Sequence, residues 1–324
     1  MNAQALEQLL ALLASGGAHN GESLAQALGI SRAAVWKKIE TLRELGVEIE
    51  GRAGSGYALT RPIERLDEKR IRAALSPDAN AGLRELRIVS VIDSTNAALR
   101  AEAASLHSGT VLLAEAQTAG RGRRGRAWAS PFAAGLLCSV FWRFERGLAD
   151  LGGLSLALGV TLAEQWRTAG VAVQVKWPND LWVDGRKLAG LLVEAGGEFH
   201  GPSHVVVGLG FNLALPTALD ATLDQPVTDI ARELATPPAR NIAIARCLEA
   251  LHAALAQFER EGFAAFIARW PAVDALRGRA IQVHDNSGAR AGVAAGIDER
   301  GRLLLQVGAD FRAVDAGEIS VKLD

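Results

Sequence analysis

Two long segments and two short ones carry the side chains most able to do chemistry. GRGRRGRAW, residues 120–128, sets Arg121, Arg123, Arg124 and Arg126 among glycines and ends on Trp128. A guanidinium group offers paired donors to phosphate or carboxylate oxygens, and glycine lets the backbone come close to a ligand. Three readings are open from these residues alone: a grip on a DNA backbone, a cradle for nucleotide phosphates, or a solvated basic loop. It is not a Walker loop, because no Lys and Ser/Thr pair follows the glycines. It is not a dinucleotide fingerprint, because arginines and a tryptophan stand where a helix should open.

KWPNDLWVDGRKLAGLLVE, residues 176–194, places the polar run Asn179-Asp180 between two apolar stretches. Pro178 interrupts the hydrogen-bond ladder, so Asn179 and Asp180 fall at a strand end. Asp184-Gly185 predicts a two-residue type I′ hairpin. Lys187 then opens the return strand, and Ala189 and Gly190 leave space beside the backbone. A lysine entering an apolar strand either meets an anionic partner or snorkels to solvent. DSTN, residues 93–96, supplies Ser94, Thr95 and Asn96 after a strand. These read as helix caps or as donors to a small ligand at a helix N-terminus. GLGFN, residues 208–212, interrupts a strand with glycines, which reads as a bulge or as close passage beside the same ligand.

Other chemistries are excluded or unsupported. His200 and His204 are separated by Gly201-Pro202 and make no helical metal pair. Cys138 and Cys247 lie far apart in apolar surroundings and read as buried reduced thiols.

These segments must be positioned by a chain of 324 residues, 49% hydrophobic and 22% charged, with net charge −1. That length suffices for two or three domains. The balanced charge excludes a general coat for nucleic acid, so any such contact needs a local patch. Residues 1–62 read as helix, turn, helix and a two-stranded wing, a winged helix-turn-helix. Its third helix, capped by Ser31, carries Arg32, Lys37, Lys38 and Arg43 against Glu40 and Glu44. Ser31, Arg32, Lys37 and Lys38 are the expected DNA contacts. The unit is neutral, and Glu48 and Glu50 precede the wing turn GRAGSG, which weakens phosphate attraction. A charged linker starts at Arg61. Residues 63–275 alternate strands with helices, as in a mixed sheet of the α+β class with helices packed on one side. Short strands between DNSG, DERG and GAD turns predict a small β-barrel over residues 276–324. The N-terminus lacks a signal-peptide pattern, and no apolar run is long enough to span a bilayer, so the expected location is the cytoplasm.

DSTN, AEAQTAGRGRRGRAW, KWPNDLWVDGRKLAGLLVE and GLGFN, in this order, resemble the biotin–protein ligases. With the winged helix in front, the chain resembles the bifunctional bacterial type that also represses the biotin operon. The resemblance implies a class II synthetase-like central domain and an SH3-like C-terminal barrel. It implies ATP with Mg²⁺, biotin as substrate and biotinyl-5′-AMP as intermediate, with no protein metal site beyond the nucleotide's Mg²⁺. It places biotin against Ser94, Thr95, Asn96, Gln117, Gly120, Arg121, Gly122 and Lys187, with Gly190, Gly208 and Asn212 in the pocket wall. Arg123 is the expected holder of the adenylate, and Trp128, Asn179 and Asp180 lie on the nucleotide side. Lys187, Arg121, Arg123 and Asp180 are the expected catalytic residues. The implied partners are a biotin carboxyl carrier protein, operator DNA and, with adenylate bound, a second copy of the chain. A ligase without operator binding, a biotin-sensing repressor without ligase activity, and a ligase for lipoate or another acid are the competing readings.

Overall fold

The computed structural model describes residues 3–52, 56–285, 288–316 and 320–323. Three helices, α1 (Ala3–Ala14), α2 (Gly21–Leu28) and α3 (Arg32–Glu44), precede the hairpin β1 (Ile49–Arg52) and β2 (Gly56–Leu59). Leu9, Leu10 and Leu13 of α1 are buried with Val35, Ile39 and Leu42 of α3, the apolar stripes that the helical spacing gives. Asn20 caps α2 by accepting from Glu22 N at 2.8 Å, and Gly29, at φ 63°, stops it. The Ser31 hydroxyl caps α3 by accepting from Ala34 N at 3.2 Å. The middle of the expected wing turn, residues 53–55, lies outside the described residues.

Next come α4 (Glu68–Ala73), α5 (Pro77–Gly82), β3 (Glu85–Ile92), α6 (Thr95–Glu102), β4 (Thr110–Gln117), β5 (Gly135–Phe144) and α7 (Leu154–Arg167). The strands β6 (Gln174–Lys176), β7 (Asp180–Val183), β8 (Arg186–Gly197) and β9 (Ser203–Asn212) follow, then α8 (Ile230–Glu233), α9 (Arg240–Glu261) and α10 (Ala264–Ile267). The seven strands run in the order β3-β4-β5-β9-β8-β7-β6, and β3 with β4 is the parallel pair. Val111, Val140, Val205 and Val207 face α7 and α9 in the main core. Their alternates Leu112, Phe141 and Val206 face the other way and bury Leu99 of α6. The helices therefore occupy both faces, not one side as the strand–helix alternation suggested. The long α7 and α9 fill one face, and the short α6 leaves the rest of the other open.

The C-terminal unit is a five-stranded antiparallel sheet of β10 (Ala280–Asp285), β11 (Gly288–Ile297), β12 (Leu303–Val307), β13 (Asp310–Val314) and β14 (Ser320–Leu323). Two junctions fix the outer units. The buried Trp177 donates its indole N–H to Gly301 O at 3.0 Å. On the other side, Ala116 and Phe132 are buried in the winged-helix core, and Phe132 N donates to Leu45 O at 2.7 Å. The linker is pinned as well. Leu66 N donates to Glu115 Oε1 at 2.8 Å, and Glu115 forms a buried pair with Arg240 at 2.5 Å. Arg61 meets Ala214 O at 2.6 Å and Glu48 at 3.2 Å. Glu48, expected to repel DNA, is thus committed to an ion pair at the base of the unit.

Candidate active site

The open half of the sheet begins where α6 ends its cover. Ser94 caps α6, accepting from Ala97 N at 3.4 Å, and Ser94, Thr95 and Asn96 are all buried. The Ser94 hydroxyl thus accepts at the helix start, which leaves its own proton to donate, while the next two side chains are tied to the sheet. Gln117 Oε1, at the end of β4, accepts from Thr95 N at 2.8 Å and Thr95 Oγ1 at 3.1 Å. Ser139 of β5 donates to Asn96 Oδ1 at 2.5 Å and lies 2.7 Å from Thr95 Oγ1. Asn96 Nδ2 donates to Glu194 Oε2 of β8 at 2.9 Å. Ser139 and Glu194 were not singled out in the sequence. Each lies in an apolar stretch of its strand, and only strand pairing brings it beside α6.

Gly208 and Gly210 do not form a bulge, since β5 and β9 pair without interruption from Gly135↔Asn212 to Phe144↔Ser203. They make room instead. A Cβ at Gly208 would lie 2.9 Å from Asn96 Cγ, and one at Gly210 would lie 2.6 Å from Trp128 Nε1. Gly190, paired with Gly210, would meet Trp128 Cζ3 at 3.2 Å. The Trp128 indole rests on this glycine floor.

The glycine-arginine segment is a tight hairpin. Arg121 bridges Ala127, Trp128 N donates to Gly120 O at 2.9 Å, and Gly122 N donates to Arg126 O at 2.8 Å. Arg124 (φ 58°) and Gly125 (φ 69°) turn its tip. Arg121 extends toward Glu194, 3.6 Å away. Arg123 points inward, donating to Asn179 Oδ1 at 3.5 Å and to the carbonyl of Ala316 in the C-terminal unit. Gly120 passes so near Gln117 and Ser130 that a Cβ there would fall within 3.0 Å of each.

Asp184 (φ 47°) and Gly185 (φ 76°) make the expected hairpin between β7 and β8. An irregularity then shifts the register between Leu181 and Trp182: Leu181 pairs with Ala189, but Trp182 pairs with Lys187. This bulge brings Lys187 to the same face as Gly190, three residues on, where plain alternation would oppose them. Lys187 Cε lies 3.5 Å from the Cβ position of Gly190, and Lys187 Nζ meets Asp180 Oδ1 at 2.9 Å. Asp180 is the anionic partner this lysine requires, so the solvent-snorkelling alternative does not hold. The two side chains are 15% and 19% exposed, buried enough for the charge to matter and open enough for a ligand.

Four cations gather near this one carboxylate. Arg123 and Lys176 both feel the attraction of Asp180 and the repulsion of Arg126. Burial holds the Lys176 ammonium below the usual lysine range, opposed by Asp180 and reinforced by Lys187 and Arg126. Burial likewise pulls Arg123 down. Arg124 and Arg126 are both exposed at the hairpin tip; Arg124 acts on Arg123, and Arg126 acts on both Arg123 and Lys176. Such crowding of like charge suits a polyanionic ligand. Asp180 and the Asn179 carbonyl are hard oxygen donors, and no group of three metal-ligating side chains occurs among the described residues. That set fits a Mg²⁺ held mainly by phosphates and water.

Asn212, expected in the pocket wall, is buried and gives its amide to Thr228 O at 3.0 Å, bracing the segment that follows β9. On α3, Arg32 and Lys37 are exposed and Lys38 is partly buried, with Trp36 54% exposed beside them. Both cysteines are buried. Among the described residues, no helix is long and apolar enough to cross a membrane.

Profiles of three families match in series: an HTH domain over residues 5–58, the biotin/lipoate A/B protein ligase family over 88–212, and the biotin protein ligase C-terminal domain over 278–322. The bifunctional ligase/repressor BirA of Escherichia coli (strain K12) is 41% identical over 97% of this chain and 96% of its own. The biotin–[acetyl-CoA-carboxylase] ligase of Mycobacterium tuberculosis is 36% identical over 78% of this chain and 95% of its own. The solved biotin protein ligase from Aquifex aeolicus, in complex with biotin and ATP, shares the fold at TM-score 0.63 and 24% identity, covering 74% of this chain and all of that one. The chain belongs to the biotin protein ligase family, in its bifunctional ligase/repressor form.

Proposed function

We propose that the cation cluster around Asp180 and the polar pocket under α6 form one site, in which biotin is activated by MgATP and then passed to a lysine of a biotin carboxyl carrier protein. The observation that carries this is the placement of Lys187. It stands at the edge of the glycine floor beside Gly190, with the Thr95–Asn96–Ser139 group at the Gly208 end of that floor and its ammonium on Asp180, where other cations gather. Ser94, Thr95, Asn96 and Gln117 hold biotin. Lys187 and Arg121 draw the biotin carboxylate to the α-phosphorus of ATP, and Arg123 holds the product. A carboxylate oxygen attacks that phosphorus, the bond to pyrophosphate breaks, and biotinyl-5′-AMP remains. Bringing two anions together needs cations positioned in advance, and the enzyme needs no nucleophile of its own. Mg²⁺, when bound with ATP, neutralises phosphate charge. The carrier lysine then attacks the acyl carbon and AMP departs. Asp180, held by Lys187, keeps that ammonium aimed.

Residues 1–62 form the DNA-reading unit, 63–275 the catalytic domain and 276–324 the C-terminal barrel. The winged unit binds operator DNA through α3, the adenylate-bound chain pairs with a second copy, and the protein works in the cytoplasm. Purified protein incubated with biotin, MgATP and a carrier domain should give a band on an avidin blot. Lys187→Ala should remove it while keeping the melting temperature near that of the wild type. A labelled carrier with the alanine variant at wild-type rate contradicts the site. A gel shift on the chain's own upstream DNA, strengthened by biotinyl-adenylate, tests the repressor half.

A further inference from the structure

Lys176 is absent from the reading above, yet it completes a row across the sheet. Leu137 of β5, Gly210 of β9, Gly190 of β8, Asp180 of β7 and Lys176 of β6 are successive cross-strand partners. Partners share a face, so Lys176 stands on the active face at the end opposite α6. Its ammonium lies 4.2 Å above the Trp182 ring and makes no ion pair among the described residues. The aromatic face holds the stem in one direction.

Resting on the ligase reading, we infer that Lys176 is a catalytic residue of the adenylation step, binding the β- and γ-phosphates of ATP and the pyrophosphate that leaves. The argument is directional. Displacement at phosphorus runs in line, with nucleophile and leaving group on opposite sides. Biotin enters from the α6 side and its carboxylate is drawn toward Lys187 on β8. Pyrophosphate must then depart away from α6, toward β6. Lys176 lies two strand spacings beyond β8, about 10 Å, within reach of a triphosphate chain. As the bond between the α-phosphorus and the bridging oxygen breaks, its electron pair passes to pyrophosphate, and a fixed ammonium there offsets the new charge. No proton transfer is needed. A half-buried ammonium beside other cations favours an anionic partner, in keeping with the lowered basicity that burial, Lys187 and Arg126 give Lys176.

The two half-reactions separate this role from a structural one. Full-length Lys176→Met and Lys176→Gln should form biotinyl-adenylate about 100-fold more slowly, the loss usual for one preorganised charge. The KM for MgATP and the inhibition constant of pyrophosphate should rise at least about tenfold. Biotin affinity should stay within about twofold, as should transfer from pre-made biotinyl-adenylate to a carrier domain. Lys176→Arg should recover most of the rate. Wild-type adenylation and pyrophosphate inhibition in the Met variant overturn the inference. So does equal loss of both half-reactions in the Met and Gln variants, or failure of Arg to recover activity. A wild-type protein that makes no adenylate would instead remove the ligase reading itself.

Discussion

Gly208→Ala tests the pocket at its tightest point. A methyl group there would stand 2.9 Å from Asn96 Cγ and 3.1 Å from Nδ2, and closer still to Oδ1. Ordinary contact begins near 3.5 Å, so the amide must move by about 0.6 Å or more. It has nowhere easy to go. Ser139 holds one end at 2.5 Å and Glu194 the other at 2.9 Å. The backbone of β9 cannot retreat either, since Gly208 is paired with Ser139 on one side and Leu192 on the other. Leaving one buried polar group unpaired costs about 1–3 kcal/mol. If Asn96 holds biotin, affinity should fall about 10- to 100-fold, with a comparable loss of fold stability. Isothermal titration with biotin and thermal melting measure the two losses. A double-mutant cycle sharpens the test: Asn96→Ala with Gly208→Ala should bind biotin no worse than Asn96→Ala alone. A Gly208→Ala protein within threefold of wild-type affinity, or strictly additive losses, would refute the reasoning.

Gly210→Ala should displace the Trp128 indole and lower adenylation about 100-fold, because its Cβ would lie 2.6 Å from Nε1; tryptophan fluorescence with steady-state kinetics checks this. Lys176 acts as a cation and burial lowers its pKa, so kcat/KM for ATP should decline at a lower alkaline pH than an ordinary lysine would give. Lys176→Arg should move that limb upward, and an unchanged pH profile counts against the cationic role. Trypsin should cut at the exposed Arg124 or Arg126 of the hairpin tip, and biotin with MgATP should slow the cut; equal digestion with and without ligand is the contrary result. Burial raises both thiols, that of Cys247 to about 12, so neither should react with a disulfide reagent at neutral pH until the protein unfolds.

Much of the site was legible because its signals are local. Asp184-Gly185 fixes a turn by its backbone preference alone, and Ser94 and Ser31 announce helix starts through their side-chain acceptors. The demand of Lys187 for an anion follows from the cost of burying an ammonium. What sequence spacing misses depends on events between strands. Strict alternation would put Lys187 and Gly190 on opposite faces, and only the bulge reverses this. Ser139 and Glu194 acquire meaning through pairing with strands far away in sequence. The Gly208 region gives the same residues for a bulge or a close approach, and the unbroken β5–β9 register decides between them. Asn212 has a motif position that suggests ligand, but its nearest acceptor is Thr228 O.

The shared burial of Ala116 and Phe132 changes what the linker means. Phe132 ends the stretch that begins with the arginine hairpin, yet it is buried in the apolar interior of the winged unit and bonds to Leu45. A cut near residue 62 is therefore not a cut between independent modules. It would uncover a greasy socket formed by Val91, Ala116, Phe132 and Ala133 at the root of the ligand loop. Swapping in a foreign DNA reader requires a plug shaped for that socket, and a stand-alone catalytic fragment needs polar replacements there to stay dispersed. Modularity along the sequence ends, in this chain, at a single phenylalanine.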